Sequence, residues 1–450
     1  RVAAMLLGLS PFIVGEVVLR ALGLGHHDVV NDPFIRFSDT SSLFELNTAT
    51  ERWEVSEAHW NLFDDESFSA RKRPNEYRIF CLGGSTVQGR PYGIETSFTT
   101  WLELNLNAAH PERTWEVVNC GGASYASYRL VSILEGTFRH EPGLYVLYSG
   151  QNAFPEGRTY ATIKNTPAPL KHAHRAMTNL RSYNLLRGWL APPPPPPNRL
   201  PGDPDALLDY QNGLEAYHRD DAWRDAVIEH FELNLRGLIA LVRAHGKPII
   251  LVNPVCDLRR TPPFKFVSTS RRANELWALA KQQPPAEAIK TLQQAVSLDP
   301  RNAGILFHLA QCHVAVGQVD EADKFFLQAK EEDICPLRIL EPMRQKIKQV
   351  AAETNTPLLD AESLFAEAGS VNLLVDHVHP SFRGHQLIAE GLLETLAEMN
   401  IADVKLAAED RAALYARHFE ILDVPYFERG KRRLEGLRLW TQGKATKERP

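Results

Sequence analysis

Five short apolar runs punctuate the chain: Tyr77 to Leu82, Trp115 to Asn119, Leu144 to Ser149, Pro248 to Asn253 and Pro357 to Asp360. The stretches between them carry helical periodicity. Mainly apolar runs of that length read as strands buried on both faces. Their alternation with helices predicts an α/β fold with a mainly parallel five-stranded sheet, covered by helices on both sides. Ligands then meet the carboxyl ends of the strands.

Outside these runs the pattern changes several times. Val2 to Leu24 is apolar apart from Ser10, Glu16 and Arg20, and a helix of that length reaches roughly 30 Å. Residues 1–24 are expected to form a signal anchor or membrane helix, with Glu16 and Arg20 near the interface, one turn apart and able to pair. The chain opens on Arg1, which leaves room for the apolar span to begin earlier. Residues 25–76 are polar, lack a clear period and read as a leader crossing the surface. Residues 77–269 form the first part of the main domain, with an insertion over 153–246 that contains the run Pro192 to Pro197, a stiff extended spacer. Residues 334–402 complete that domain, and 403–450 form a helix-prone tail with Leu406, Leu414, Tyr415, Phe419, Leu422 and Phe427 as candidate contacts.

The segment 270–333 repeats itself. Glu287-Ala288 recurs as Glu321-Ala322, Leu292 as Phe326, Ala295 as Ala329 and Asp299 as Asp333, each 34 positions on. Small alanines at helix contacts, Leu298-Asp299-Pro300 ending one helix and Gly317 at a turn make this segment resemble the tetratricopeptide repeat. About two repeats are fewer than such an array needs to stand alone, so this insertion is expected to lean on its host and to offer a surface to a protein partner.

Composition narrows the choice of function. With 450 residues, 44% hydrophobic and 23% charged, the chain can bury a full core. A net charge of −5 and the absence of a long Lys/Arg run speak against a nucleic-acid partner. The cysteines, at 81, 120, 256, 312 and 335, are scattered, so neither a zinc site nor a disulfide framework is expected. Cys81 and Cys120 fall on predicted strands and read as packing groups.

The chemistry gathers at the ends of the predicted strands. After Ile79 to Leu82, Gly83-Gly84 breaks the strand and Ser85-Thr86 begins a helix, which sets a hydroxyl on a corner beside free helix N–H groups. A serine needs a base within reach and donors for the oxyanion it creates. Asp376-His377-Val378-His379-Pro380 can supply the base, His379, with Asp376 fixing its tautomer, because the proline holds His379 on a loop. Gly121-Gly122-Ala123-Ser124 and Gly150-Gln151-Asn152 end the next two strands. Asn152 and an N–H of Gly122 or Ser124 could join that of Ser85 as oxyanion donors. The competing reading of Asp-His-Val-His, a metal site, lacks a second ligand cluster and leaves Ser85 without a role; His377 is expected to be structural.

These four blocks, Gly83-Gly84-Ser85-Thr86, Asn119 to Ser124, Gly150-Gln151-Asn152 and Asp376 to His379, resemble the SGNH family, the GDSL-like esterases and lipases. The resemblance covers roughly residues 77–400. It implies a flavodoxin-like three-layer α/β/α fold, a Ser85-His379-Asp376 triad acting on an acyl ester without a cofactor, and an oxyanion hole from Ser85, the second-block backbone and Asn152. Two positions depart from the pattern: Ser124 stands where a glycine is usual, and Ala153 follows Asn152 in place of an acid. Arg338 could face the pocket or make a surface salt bridge. The function expected is hydrolysis, or transfer, of a short acyl group such as an acetyl on a glycan, at an extracytoplasmic membrane-anchored site. The alternative is an inactive scaffold that presents its repeats to a partner.

Overall fold

The computed structural model describes residues 2–22, 24, 36, 37, 42–158, 177, 180–190, 199, 200, 202–369, 372–445 and 447. Helix α1 runs over Val2–Ala21. Its Glu16 pairs with Arg20 at 3.1 Å and also accepts hydrogen bonds from the Arg181 and Ser182 amides at 2.7 and 3.1 Å. The carboxylate therefore caps the helix that opens at Arg181, where its charge meets free N–H groups. Among the described residues no helix is long and apolar enough to cross a membrane. The side chains of residues 1–9 lie outside the described part, so the expected anchor over 1–24 finds no support here.

The supposed leader is partly a structure of its own. Strands β1 (Phe44–Asn47), β2 (Arg52–Val55) and β3 (Ser67–Ser69) form an antiparallel sheet. Leu43, Phe44, Val55, Phe63 and Phe68 are buried in one core with residues of the main sheet. The strands are three or four residues long and bury one face only, so their alternation is too brief to stand out in the sequence.

The main sheet holds five parallel strands: β4 (Glu76–Gly83), β5 (Thr114–Gly121), β6 (Leu144–Tyr148), β7 (Ile249–Asn253) and β8 (Leu358–Asp360). Their spatial order is β8-β7-β6-β4-β5, all pairs parallel. Counting from the first of them, this is the flavodoxin-like doubly wound order, with the direction of winding reversed between the first and third strands. The tips of β4, β5 and β6 therefore stand side by side, in register at Gly83, Gly121 and Tyr148.

Helices fill the connections and cover both faces. The four-residue helix α2 (Ser85–Gln88) follows β4, then come α3 (Phe98–Ala109) and α4 (Leu130–Thr137). Helix α5 (Arg181–Leu190) belongs to the insertion, and Pro192 to Pro197 lie outside the described residues. The expected insertion over 153–246 ends differently from its reading: 221–244 form α6 (Asp221–Ala244), a crossover helix that buries Val227, Phe231, Leu235 and Leu238 in the sheet's core. Four helices then carry the repeat: α7 (Arg271–Ala280), α8 (Pro285–Leu298), α9 (Ala303–Ala315) and α10 (Val319–Glu331). Helix α11 (Glu341–Glu353) leads back to β8, and α12 (Ala361–Ala368) and α13 (Phe382–Glu398) follow it. Residues of α4, α6 and α11 bury one face of the sheet; residues of α3, α12 and α13 bury the other.

The tail docks back on the body. Helix α14 (Ala408–Glu420) sets Tyr415 and Phe419 against Trp101, with ring centroids 4.8 and 5.2 Å apart. Helix α15 (Val424–Thr441) is tied down by Tyr426, whose hydroxyl lies 2.6 Å from Thr96 Oγ1. Further along, Trp440 Nε1 donates to Asp209 at 2.8 Å.

Candidate functional site

Ser85 stands on a corner that only glycines allow. Strand β4 ends at Gly83, where an added Cβ would fall 2.2 Å from the Tyr148 carbonyl oxygen on the neighbouring strand. At Gly84 it would fall 2.4 Å from Asn152 Nδ2. The second contact links two of the sequence blocks: the bare backbone at Gly84 is what lets the Asn152 amide approach the serine.

Helix α2 starts at Ser85 with Gly84 as its N-cap in extended backbone. The Ser85 N–H is the first of a helix and has no intrahelical acceptor. Loop 376–379 reaches the same corner from the far end of the chain. His379 Nε2 lies 2.8 Å from Ser85 Oγ, and His379 Nδ1 lies 2.7 Å from Asp376 Oδ2. The other Asp376 oxygen accepts from the Val378 and His379 amides at 2.9 and 2.8 Å, which pins the carboxylate. Burial opposes its charge, but His379 and His377 together with these donors hold Asp376 well below the usual carboxylate range. The group thus stays an acceptor, and the ring nitrogen facing it carries a proton.

The oxyanion candidates separate on hydrogen bonding. Gly122 N–H donates to the Gly83 carbonyl at 3.1 Å, so it is already engaged and cannot serve as expected. Ala123 N–H donates to Leu62 O at 2.8 Å, whereas Ser124 N–H meets no described acceptor. Ser124 has φ +61°, the left-handed region where a glycine rests at lower cost. Asn152 gives one amide hydrogen to Tyr125 O at 3.2 Å and keeps the second. Asn119 turns inward, donating to Val87 O at 2.7 Å and to Thr99 Oγ1 at 2.9 Å, which braces the base of the corner.

Burial pushes the His377 imidazole down to about 4, with the charges of His379 and Arg338 adding to the effect against Asp376. Its neutral ring stands edge-on to Phe264 at 5.1 Å. Arg338 is buried and is absent from the cavity wall. It donates to the Asp257 and Thr261 carbonyls, both at 2.9 Å, and lies 3.6 Å from Asp333, which makes it a brace for the loop beneath His377 and an interior ion pair where a surface one was the expectation. Ala153 is buried in the core, where an acid would lack a hydrated face.

A cavity of about 370 Å³ opens over Ser85. Ser124, Asn152, His377 and His379 line its floor. Arg90, Pro91 and Leu337 line it with Arg433, Gly436, Leu437 and Trp440 of α15. No pattern along the chain foretells this roof. Positions 433, 436, 437 and 440 share one helix face, but that spacing reads equally as core contact. Among the described residues no three His, Cys, Asp or Glu side chains gather as a metal site would require.

No curated protein matches the chain. Among solved structures it is similar to Axe2, an acetylxylan esterase from Geobacillus stearothermophilus, with 16% identity over 75% of this chain and 99% of that one, and a TM-score of 0.34. It is also similar to a lipolytic protein of the G-D-S-L family from Desulfitobacterium hafniense DCB-2, with 14% identity over 71% of this chain and 99% of that one, and a TM-score of 0.32. Residues 279–333 match the family model of the tetratricopeptide repeat, and the helical insertion carries that repeat.

Proposed function

We propose that the chain is a serine esterase that cleaves, or transfers, a short acyl group. The reading rests on one observation, the continuous line of hydrogen bonds from Asp376 through His379 to Ser85 at 2.7 and 2.8 Å. In this account Ser85 Oγ attacks the acyl carbonyl while His379 Nε2 takes its proton. Asp376 holds the ring and stabilises the imidazolium. The oxyanion then accepts from the N–H groups of Ser85 and Ser124 and from Asn152 Nδ2. As the intermediate collapses, His379 returns the proton to the leaving alcohol and Ser85 keeps the acyl group. Water, or a sugar hydroxyl in the transfer variant, enters by the same steps in reverse. An acetyl group on a glycan fits a cavity of this size.

The repeat supports a second part of the proposal, a protein partner held by α7 to α10. A further part of the proposal is action at a membrane, outside the cytoplasm; the exposed apolar side chains Phe12, Ile13, Val14, Val17 and Val18 of α1 support the membrane, and cell fractionation checks the compartment. Turnover of 4-nitrophenyl acetate tests the esterase reading. Ser85→Ala should lower kcat by about 10⁴-fold or more with unfolding unchanged. Purified protein inert toward this ester and toward serine-directed phosphonates would favour the scaffold reading.

A further inference from the structure

The roof of the cavity carries two positive charges that the acyl-transfer chemistry leaves without a task. Arg90 follows α2, and Arg433 hangs from α15; both line the cavity that holds Ser85. Arg90 Nε donates to Gln88 Oε1 at 3.0 Å, and no described acceptor faces the rest of its guanidinium. Arg433 donates to the Tyr92 carbonyl and stands 3.7 Å from Asp64 Oδ1, a separation beyond a hydrogen bond. Asp64 itself is behind the wall and binds the Gln88 amide at 3.2 Å. Burial pushes its carboxyl up against the pull of Arg433 and Arg90, and the nearby Glu95 adds to the rise. Burial and the charge of Arg433 together pull Arg90 down from its usual value, against the opposing charge of Asp64.

An arginine kept for packing alone would satisfy its fork on backbone carbonyls, as Arg338 does. Arg90 instead leaves its terminal nitrogens open to a cavity that Pro91, Leu337, Leu437 and Trp440 also line. Forked donors of this kind match the paired oxygens of a carboxylate or phosphate.

We propose that Arg90 and Arg433 recognise an oxyanion on the substrate, so that the enzyme acts on esters of acidic molecules. The inference deepens the esterase reading and rests on it for the word ester; the anion site itself does not. It is tested by binding in the Ser85→Ala protein, where no turnover intervenes. Calorimetry compares 4-acetoxybenzoate, 4-acetoxyphenyl phosphate and the neutral methyl 4-acetoxybenzoate. We expect one or both anions to bind about tenfold or more tightly than the methyl ester, the size of a charge-assisted contact. Arg90→Gln and Arg433→Gln should each bring that ratio close to one, whereas Arg438→Gln, on the exposed side of α15, should leave it in place. Near-ultraviolet circular dichroism, which senses the packing of Trp440 against Asp209, reports whether α15 keeps its seat in the Arg433 variant, and the Arg90 variant carries the test if it does not. Equal affinity for all three compounds, or an anion preference that survives Arg90→Gln, overturns the proposal. Phosphonate labelling of the unsubstituted enzyme reports separately on Ser85, so a failed esterase reading is told apart from a failed anion site.

Discussion

The repeat and the α/β body are built by opposite means. In the repeat, Ala288, Leu292 and Ala295 are buried, and so are Ala322, Phe326 and Ala329, the same three positions one period on. Their clusters are built from the helical hairpins themselves, with Leu258 the one partly buried hydrophobic from outside the repeat packed against the second. In the body, Ser85 and His379 are 294 residues apart along the chain and 2.8 Å apart in space. A local design can be damaged locally. A convergent one fails when any of several distant segments moves, because each supplies a single group.

The strongest way to break this contrast is to cut into the repeat's core. Phe326→Ala removes a buried ring that packs 5.2 Å from Phe307, and should cost roughly 3–5 kcal/mol of stability. Urea unfolding measures the loss, and the folded fraction should retain its ester turnover. If activity falls while the protein stays folded, the repeat is part of the site and the contrast fails. The body offers the converse test. Asn152→Ala should lower kcat by about 10²- to 10³-fold, the usual effect of losing one oxyanion donor, with little change in the urea midpoint.

A finer prediction sharpens the contrast inside the repeat. Asp299 and Asp333 hold equivalent positions, and each accepts from a preceding loop, Asp299 from the Thr269 N–H and Asp333 from those of Phe264 and Lys265. Their surroundings differ. Burial opposes the Asp299 charge, but donors from Thr269, Asn302 and Ser268 outweigh it and lower its pKa. Complete burial pushes Asp333 up to about 6 despite Arg338 and three amides. The signs are then opposite. Asp299 contributes stability that is present above the ordinary carboxylate value and lost as pH falls through its lowered folded value. Asp333 contributes stability that is present below the ordinary value and lost as pH rises through about 6. The advantage of the unsubstituted protein over Asp333→Asn should shrink from pH 4 to 7, and its advantage over Asp299→Asn should grow from pH 3 to 5. Parallel urea midpoints at each pH check both.

Legibility in the sequence followed the same division. The repeat announced itself because its period is a property of neighbouring residues, and the five sheet strands did so because each is a short, mainly apolar run. Asp376 and His379 were readable as a pair since they stand three positions apart on one loop. Ser85 was readable through the glycines that its corner demands. What stayed hidden needed the third dimension. The sheet over residues 44–69 has strands too short for a pattern, and α6 was absorbed into the insertion because a long polar stretch precedes it. Gly122 offered an N–H that the fold spends on Gly83 O, which no local rule foretells. The cavity's roof comes from α15, more than 300 residues beyond Ser85 in the sequence; only docking of the tail, with Tyr92 pressed against Gly430, shows it.

The central claim is that Ser85 is a nucleophile made reactive by His379. Labelling with a serine-directed fluorophosphonate, followed by peptide mapping, tests it most directly. The account predicts a single adduct on Ser85 in the unsubstituted protein and labelling slowed by orders of magnitude in His379→Ala. An adduct elsewhere, or equal labelling of Ser85 in both proteins, would contradict it.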